Sequence, residues 1–174
     1  MKQSLILFLF VCITHSLFAQ KNLPDWYLQA FKKADLDNTY YISSNIKPTL
    51  LRSDLNGDNI DDLAVLVVNK KSKKRGILII HQGSSNYHLI GAGSSFGKKA
   101  FDEFDDMKWM DGWQIHKKGK VYETKFENGD IVGSIPRNLR NDSIVVWESQ
   151  DGAPLVGGII YWDGKKYSWI HQGE

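Results

Sequence analysis

The sequence predicts a mainly β fold, with antiparallel sheets of about eight strands and one N-terminal helix; an α+β arrangement is the alternative. Short apolar segments recur along the chain, and turn dipeptides such as Asn128-Gly129 and Asp163-Gly164 separate some of them. Such dipeptides favour hairpins. No long linker or low-complexity tract divides residues 20–174. We therefore expect a single β-rich domain after a short leader.

The first nineteen residues have the parts of a signal peptide. Lys2 supplies a positive charge, Leu5–Ile13 form an apolar segment, and Ala19 offers a small residue for cleavage. The apolar segment is shorter than the roughly 20 residues that a bilayer requires, so we expect no stable membrane span. Cys12, the only cysteine, lies within it. The sequence predicts that residues 1–19 are a signal peptide and that the protein is secreted or periplasmic, without disulfides.

Residues 24–31 have apolar side chains at helical spacing. Pro24 suits the first turn of a helix, where its missing N–H would have no partner, and Trp26 and Ala30 would cover one side of a sheet. Eight later segments have the β-branched and aromatic content of strands. They are residues 63–68, 76–81, 87–90, 114–116, 121–126, 143–147, 158–162 and 167–171.

The last two predicted strands have the clearest hairpin signal. A two-residue turn at Asp163-Gly164 would place Ile160 opposite Tyr167. A cross-strand pair of this kind contributes about 0.2–1 kcal/mol. We therefore expect this register in the C-terminal hairpin.

The charge of the chain argues against nucleic-acid binding. The formal net charge is +2, which is close to neutral for 174 residues, whereas nucleic-acid binding relies on attraction to many phosphates. A basic run at residues 70–75 lies between two predicted strands. We expect it to be a solvated hairpin tip rather than a phosphate or membrane contact.

Five residues before the first long strand have the spacing of calcium ligands. With Asp54 as position 1, Asn56, Asp58 and Asp62 occupy positions 3, 5 and 9, and the carbonyl of Ile60 is at position 7. Alternate residues of a tightly curled loop can direct their oxygens at one centre, and calcium takes six to eight oxygen ligands. The sequence therefore predicts a structural calcium site at these five residues.

Two other structures share part of this pattern. A solvated turn is one alternative, because Asp, Asn and Gly are common in turns; crowded carboxylates, however, repel one another unless a cation is present. An EF-hand is the other, but it requires Gly at position 6 and Glu at position 12. This chain has Asn59 and Val65 at those positions. Gly57 would allow the loop to curl around an ion.

The segment resembles the calcium loop of FG-GAP and related VCBS repeats, which occur in integrin β-propellers and in many exported bacterial proteins. The resemblance rests on the pattern Asp-x-Asn-Gly-Asp-x-x-x-Asp at residues 54–62, followed by a Leu-Ala-Val strand. It implies that the five residues above bind calcium, with Ile60 contributing its carbonyl oxygen. The chain contains one clear copy of the loop, whereas a propeller needs several blades. We do not expect a complete propeller.

The aromatic residues suggest a binding role. Six tryptophans are more than one small core usually requires, and exposed ones such as Trp109 and Trp113 could bind a glycan or a protein partner. We nevertheless expect most of the tryptophans to fill the core. Together with the loop, these features predict an exported calcium-binding protein that acts as a binding or interaction module.

Catalytic motifs give little support for an enzyme. The sequence has neither a Gly-x-Ser-x-Gly elbow nor a His-Glu-x-x-His helix. His81 and His88 flank a predicted turn and could converge on a metal, although a histidine near a strand end is usually structural. Paired carboxylates such as Asp102 and Asp106 leave a secreted hydrolase acting on glycans as the alternative function.

Overall fold

The computed structural model describes residues 23–84, 86–97 and 104–173. Within these ranges the chain forms two helices, α1 (Asp25–Lys33) and α2 (Leu36–Thr39), and eleven strands. The strands are β1 (Tyr40–Ile42), β2 (Leu50–Ser53), β3 (Asp62–Asn69), β4 (Arg75–Ile80), β5 (Tyr87–Gly91), β6 (Gly112–His116), β7 (Gly119–Glu127), β8 (Asp130–Leu139), β9 (Ser143–Gln150), β10 (Ala153–Trp162) and β11 (Tyr167–Gly173). The predicted signal peptide lies outside the described residues.

The strands form three antiparallel sheets. In the first sheet β1 and β2 both pair with β3, and β4 and β5 follow on its other side. The second sheet has the order β11-β10-β9-β6, and β7 and β8 form a separate two-stranded hairpin. The prediction of a mainly β fold with antiparallel sheets and an N-terminal helix is confirmed.

Helix α1 covers the outer face of the first sheet. Tyr27 and Phe31, one turn apart, are both buried and Tyr27 Oη donates a hydrogen bond to the carbonyl of Leu78, 3.2 Å away. The helix is followed by Asp35, which has a φ of +57° and so turns the chain towards α2. Alternate residues of β3 and β4 complete this cluster: Leu63, Val65, Val67, Leu78 and Ile80.

The opposite face of the first sheet packs on the second sheet. Ala64, Leu66, Ile77 and Ile79 alternate with the residues under the helix and meet Ile144, Val146 and Ile160 from the second sheet. Because both faces of the first sheet are covered, β3 and β4 are apolar almost without interruption rather than alternating with polar residues.

The hairpin of β7 and β8 lies on the outer face of the second sheet. Val121 and Leu139 from the hairpin pack on Ile159 and Ile170. The rest of β8 is largely exposed. The molecule is therefore layered in the order helix, first sheet, second sheet and hairpin. In the described part of the chain, no helix has the length and apolar character that a membrane crossing needs.

Most of the predicted elements are confirmed. The helix predicted at residues 24–31 is α1, and each of the eight predicted strands corresponds to an observed strand. Residues 70–74 of the basic run connect β3 to β4, as predicted, and Arg75 is the first residue of β4. Strands β1, β2 and β8 were not predicted; the first two are three and four residues long, and β8 contains Gly133 and Pro136, which are uncommon in strands.

The predicted register of the C-terminal hairpin is wrong. Trp162 pairs with Tyr167, and Ile160 pairs with Trp169 rather than with Tyr167. The physical reason is the side chain of Asp163, whose Oδ1 accepts hydrogen bonds from the backbone N–H groups of Lys165 and Lys166, both at 2.9 Å. These bonds stabilise a four-residue loop in place of the two-residue turn.

Candidate functional site

The predicted calcium loop joins two neighbouring strands of the first sheet. Strand β2 ends at Ser53, and β3 begins at Asp62, which is its cross-strand partner. The loop of residues 54–61 therefore projects from one end of the sheet. The antiparallel pairing of β2 and β3 holds the two ends of the loop next to each other.

Asp54 organises the first half of the loop. Its Oδ1 accepts hydrogen bonds from the backbone N–H groups of Gly57 at 2.7 Å and Asp58 at 3.1 Å, and its Oδ2 accepts one from Asn59 at 3.0 Å. Three successive N–H groups thus point at one carboxylate. Such convergence bends the backbone into a tight curl, as the sequence predicted.

Asn56 and Asp58 continue the curl. Asn56 Oδ1 accepts a hydrogen bond from the N–H of Asp58 at 2.9 Å, and Asp58 Oδ1 accepts one from the N–H of Ile60 at 2.8 Å. Asn56 Nδ2 also donates to Asp58 Oδ2 at 3.0 Å. The side-chain oxygens at positions 1, 3 and 5 are therefore on the inside of the loop, next to the backbone that they cap.

Asp62 is the innermost residue of the candidate site. It is 0 % exposed; its Oδ2 accepts a hydrogen bond from the N–H of Leu55 at 3.0 Å, and its Oδ1 accepts one from Gln82 at 3.1 Å. Burial, together with the nearby negative charge of Asp58, raises the pKa of Asp62 to about 6, although these hydrogen bonds oppose the shift. A cation beside this carboxylate would favour its ionised form.

The loop also contacts the second sheet. Gly57 has a φ of +87°, and a Cβ atom at this position would lie 2.5 Å from Oδ1 of Asn141, in the connection between β8 and β9. A side chain at position 57 would therefore be strained and would collide with Asn141. Gly57 therefore suits both the curl and this close approach, and any side chain at this position would displace that of Asn141.

A hydrogen-bonded cluster beside the loop links the two sheets. Ser53 Oγ donates to Asp142 Oδ2, and Lys117 Nζ donates to the same oxygen at 2.7 Å. Burial alone would raise the pKa of Asp142, but hydrogen bonds from Lys117, Ser53 and the Lys118 N–H, with the positive charge of Lys117, hold the pKa below its usual value. The carboxylate is therefore stabilised in its charged form.

The donor chemistry of the loop fits a hard cation. Three carboxylates, one amide oxygen and one carbonyl oxygen are the ligand types that calcium prefers, and a carboxylate oxygen that accepts one N–H bond retains a second lone pair. In the described ranges, no three His, Cys, Asp or Glu side chains are arranged to hold a metal ion by themselves. Calcium at the loop would therefore require the oxygens of Asn56 and Ile60 together with the carboxylates.

A second cluster adjoins the loop through Gln82. His81 Nε2 lies 2.8 Å from Tyr167 Oη, and the ring centroids of His81 and His88 are 4.8 Å apart. Trp162 packs against both histidines, with centroid distances of 5.1 and 5.0 Å. His81 and His88 converge as the sequence suggested, but the side chains around them are aromatic. Tyr167 and Trp162 come from β11 and β10, so sequence spacing gave no signal for this cluster.

Burial controls the charge of the two histidines. It lowers the pKa of His81 to about 4, and the neighbouring His88 adds to that shift, whereas Asp58 and Asp54 oppose it. Burial also lowers the pKa of His88 below its usual value. Both rings are therefore neutral at physiological pH, and the cluster holds the sheets together by aromatic packing and one hydrogen bond.

The carboxylates considered for hydrolysis have a different environment. Asp106 Oδ1 accepts hydrogen bonds from the backbone N–H groups of Arg75 at 2.9 Å and Lys108 at 3.0 Å. It therefore attaches its loop to the start of β4. Asp102 lies outside the described residues, so the structure gives no separation for this pair of carboxylates.

The expectation that Trp113 is exposed is wrong. Its side chain is 1 % exposed, and its Nε1 donates a hydrogen bond to the carbonyl of Pro48 at 2.7 Å. Strand β6 directs Trp113 between the two sheets, beside Val146, where burial of its large apolar surface is favourable. Trp109 is partly buried against the same core. Trp113 therefore cannot serve as a binding platform.

Comparisons with known proteins add no relative to this description. No family model, no curated protein and no solved structure matches this chain.

Proposed function

We propose that this protein is an exported binding or interaction module in which one calcium ion, held by the loop of residues 54–62, has a structural role. The supporting observation is that the backbone of this loop is already curled around its own acidic side chains. Asp54, Asn56 and Asp58 each cap backbone N–H groups on the inside of the curl. Calcium would share these oxygens, and the carbonyl of Ile60 and the carboxylate of Asp62 would complete the site.

The environment of Asp62 supports the same proposal. A fully buried carboxylate close to Asp58 carries a negative charge that burial disfavours, and its pKa rises accordingly. Two neighbouring carboxylates repel each other when both are charged. A divalent cation would offset both effects, which gives calcium binding a physical benefit at this position.

The position of the loop supports a structural role for the ion. It joins two strands of the first sheet and touches the connection between β8 and β9 through Gly57 and Asn141. An ion that fixes the loop would also fix this contact between the sheets. The ion would therefore stabilise the folded state by binding to it and not to the unfolded chain.

A calcium titration with matched variants tests the proposal. We expect isothermal titration calorimetry to detect one calcium ion per chain. Asp58→Ala should weaken binding at least about tenfold, because it removes a charged ligand. Asp61→Ala is the control, because Asp61 is an exposed neighbour outside the ligand set and its substitution removes the same charge. The calcium affinity of this variant should be within about threefold of that of the parent. Absence of calcium binding, or equal losses in the two variants, would contradict the proposal.

A further inference from the structure

A cavity lies on the side of the molecule opposite helix α1. It has a volume of about 490 Å³ and is bounded by the edge strand β11, the hairpin of β7 and β8, and residues 95–97. This volume is within the range of small-molecule sites, roughly 300–1,000 Å³. The cavity is separate from the calcium loop, whose residues do not line it.

The wall on the sheet side follows from the register of the last two strands. Tyr161 of β10 is directly opposite Ser168 of β11, and both line the cavity from the outer face of the second sheet. Phe96 and Trp169 line it from the inner side of β11, where the two ring centroids are 6.4 Å apart. An edge strand thus presents aromatic and hydroxyl groups to the same space.

The opposite wall carries an ion pair. Glu123 on β7 and Arg137 on β8 line the cavity, and Arg137 donates to Glu123 Oε2 through Nε at 2.8 Å and Nη2 at 2.6 Å. The Glu123 side chain is 11 % exposed, whereas that of Arg137 is 51 % exposed. A guanidinium has five N–H donors, so Arg137 retains donors beyond the two that bind Glu123.

The remaining charge in the wall is positive. Lys166 lines the cavity from the loop between β10 and β11 and interacts electrostatically with Asp163. The backbone N–H of Asp163 donates to the carbonyl of Lys166 at 3.0 Å, and the Asp163 side chain accepts hydrogen bonds within the same loop. Arg137 and Lys166 against Glu123 leave one excess positive charge among the charged lining residues. The cavity therefore favours a ligand with a negative group.

A buried donor adds a further polar feature. Trp169 is 6 % exposed, and its indole Nε1–H has no hydrogen-bond partner within the described ranges. Buried polar groups are rarely left without a partner, because desolvation is then not compensated. A ligand hydroxyl or an ordered water at the cavity could accept this hydrogen bond.

We propose that this cavity binds an acidic saccharide. Sugars combine apolar C–H faces, which pack on aromatic rings such as Tyr161 and Phe96, with hydroxyl groups that bond to charged side chains. A carboxylate on the sugar would bind the free donors of Arg137 and the ammonium of Lys166. The inference gives a ligand class to the binding role proposed above, and rests on that role but not on calcium.

Titration of the isotope-labelled protein with three probes tests the assignment. D-glucuronate should shift the Trp169 indole N–H resonance saturably, in chelator as well as in calcium, whereas glucose and acetate should each bind at least about tenfold more weakly. Persistence of binding in chelator would separate this site from the calcium loop. No saturable shift with glucuronate, or an equal response to acetate or to glucose, would overturn the proposal.

A matched pair of variants locates the site. Lys166→Gln should weaken glucuronate binding about five- to tenfold, and Lys165→Gln should leave it unchanged, because Lys165 is exposed on the same loop but does not line the cavity. Both positions are exposed, so both variants should melt at the parent temperature. Equal affinity in the two variants would place the saccharide elsewhere and contradict the proposal.

Discussion

His81 shows how a single residue couples packing to charge in this protein. It directly follows the last residue of β4 and packs in a cluster with His88, Trp162 and Tyr167, where it is 5 % exposed. The hydrogen bond to Tyr167 Oη can form with the neutral imidazole. A proton on His81 would place a charge among aromatic rings, which is why burial lowers its pKa to about 4.

The shift at His81 predicts a pH dependence of stability. The folded pKa is below the unfolded value of 6.5, so the unfolded chain binds the proton more tightly, and the contribution of the neutral ring is complete above pH 6.5 and is lost as the pH falls towards 4. His81→Gln keeps an acceptor for Tyr167 but does not titrate. Urea unfolding in chelator should show the parent losing up to about 3 kcal/mol more than His81→Gln between pH 7 and pH 4.

The comparison of the parent with His81→Gln also has an outcome that would contradict the prediction. Because the pKa of Asp62 is raised in the folded state, Asp62 makes the protein more stable on acidification. It is present in both proteins, so its contribution cancels from their difference. Parallel pH profiles for the parent and His81→Gln would show that His81 is not buried in its neutral form.

At the scale of elements, the loop of residues 54–61 depends on a backbone conformation as well as on its acidic side chains. Gly57 combines a positive φ with the contact to Asn141, whereas Gly83 has a similar φ of +81° and nothing within 4 Å of a Cβ atom. A comparison of substitutions at the two glycines therefore separates the cost of backbone strain from the cost of a steric collision. Both positions are in connections of the first sheet.

This pair predicts unequal losses on substitution with alanine. Gly83→Ala should cost about 1 kcal/mol for the left-handed backbone alone, and Gly57→Ala should cost about 2–3 kcal/mol, because Asn141 must also move. Chemical unfolding of both variants in chelator measures the difference without a contribution from calcium. Equal losses would mean that the contact between the loop and the second sheet contributes nothing to stability.

Some elements could be predicted from the sequence for reasons that the structure makes plain. Strands β3 and β4 are apolar on both faces because a helix covers one face and a sheet the other. Their nearly continuous apolar runs are therefore easy to recognise in the sequence as buried strands. Strand β8 gave no such signal, because nine of its ten residues are exposed or half-buried. The C-terminal register also escaped prediction, since one side chain, Asp163, decides the length of its loop.

At the scale of the whole molecule, three apolar clusters of the described residues hold the four layers in order. The helix and first sheet share one cluster, the two sheets share the largest, and the hairpin rests on the third. The candidate calcium loop lies at the end of the first sheet and contacts the connection between β8 and β9. A change in the loop therefore affects the packing between layers, and calcium binding should stabilise the whole fold.

The candidate sites differ in how far the sequence could indicate them. The candidate calcium ligands lie within nine consecutive residues, so their spacing is visible in the sequence, and the calcium site itself stays a prediction. In the histidine cluster His81, which follows β4, contacts Tyr167 of β11, 86 positions later. The cavity proposed to bind a saccharide brings β7 next to β11. Contacts between such distant residues depend on topology, which residue spacing does not reveal. The burial of Trp113 depends on topology in the same way.

Thermal melting of the purified protein in excess chelator, in millimolar magnesium and in millimolar calcium tests the central claim most directly. Binding of calcium to the folded state should raise the melting temperature by about 5 °C or more relative to chelator. Magnesium should have little effect, because it retains its waters and prefers a stricter octahedral geometry. Identical melting in all three conditions would contradict the calcium site, and the loop would then be an acidic turn held by its own hydrogen bonds.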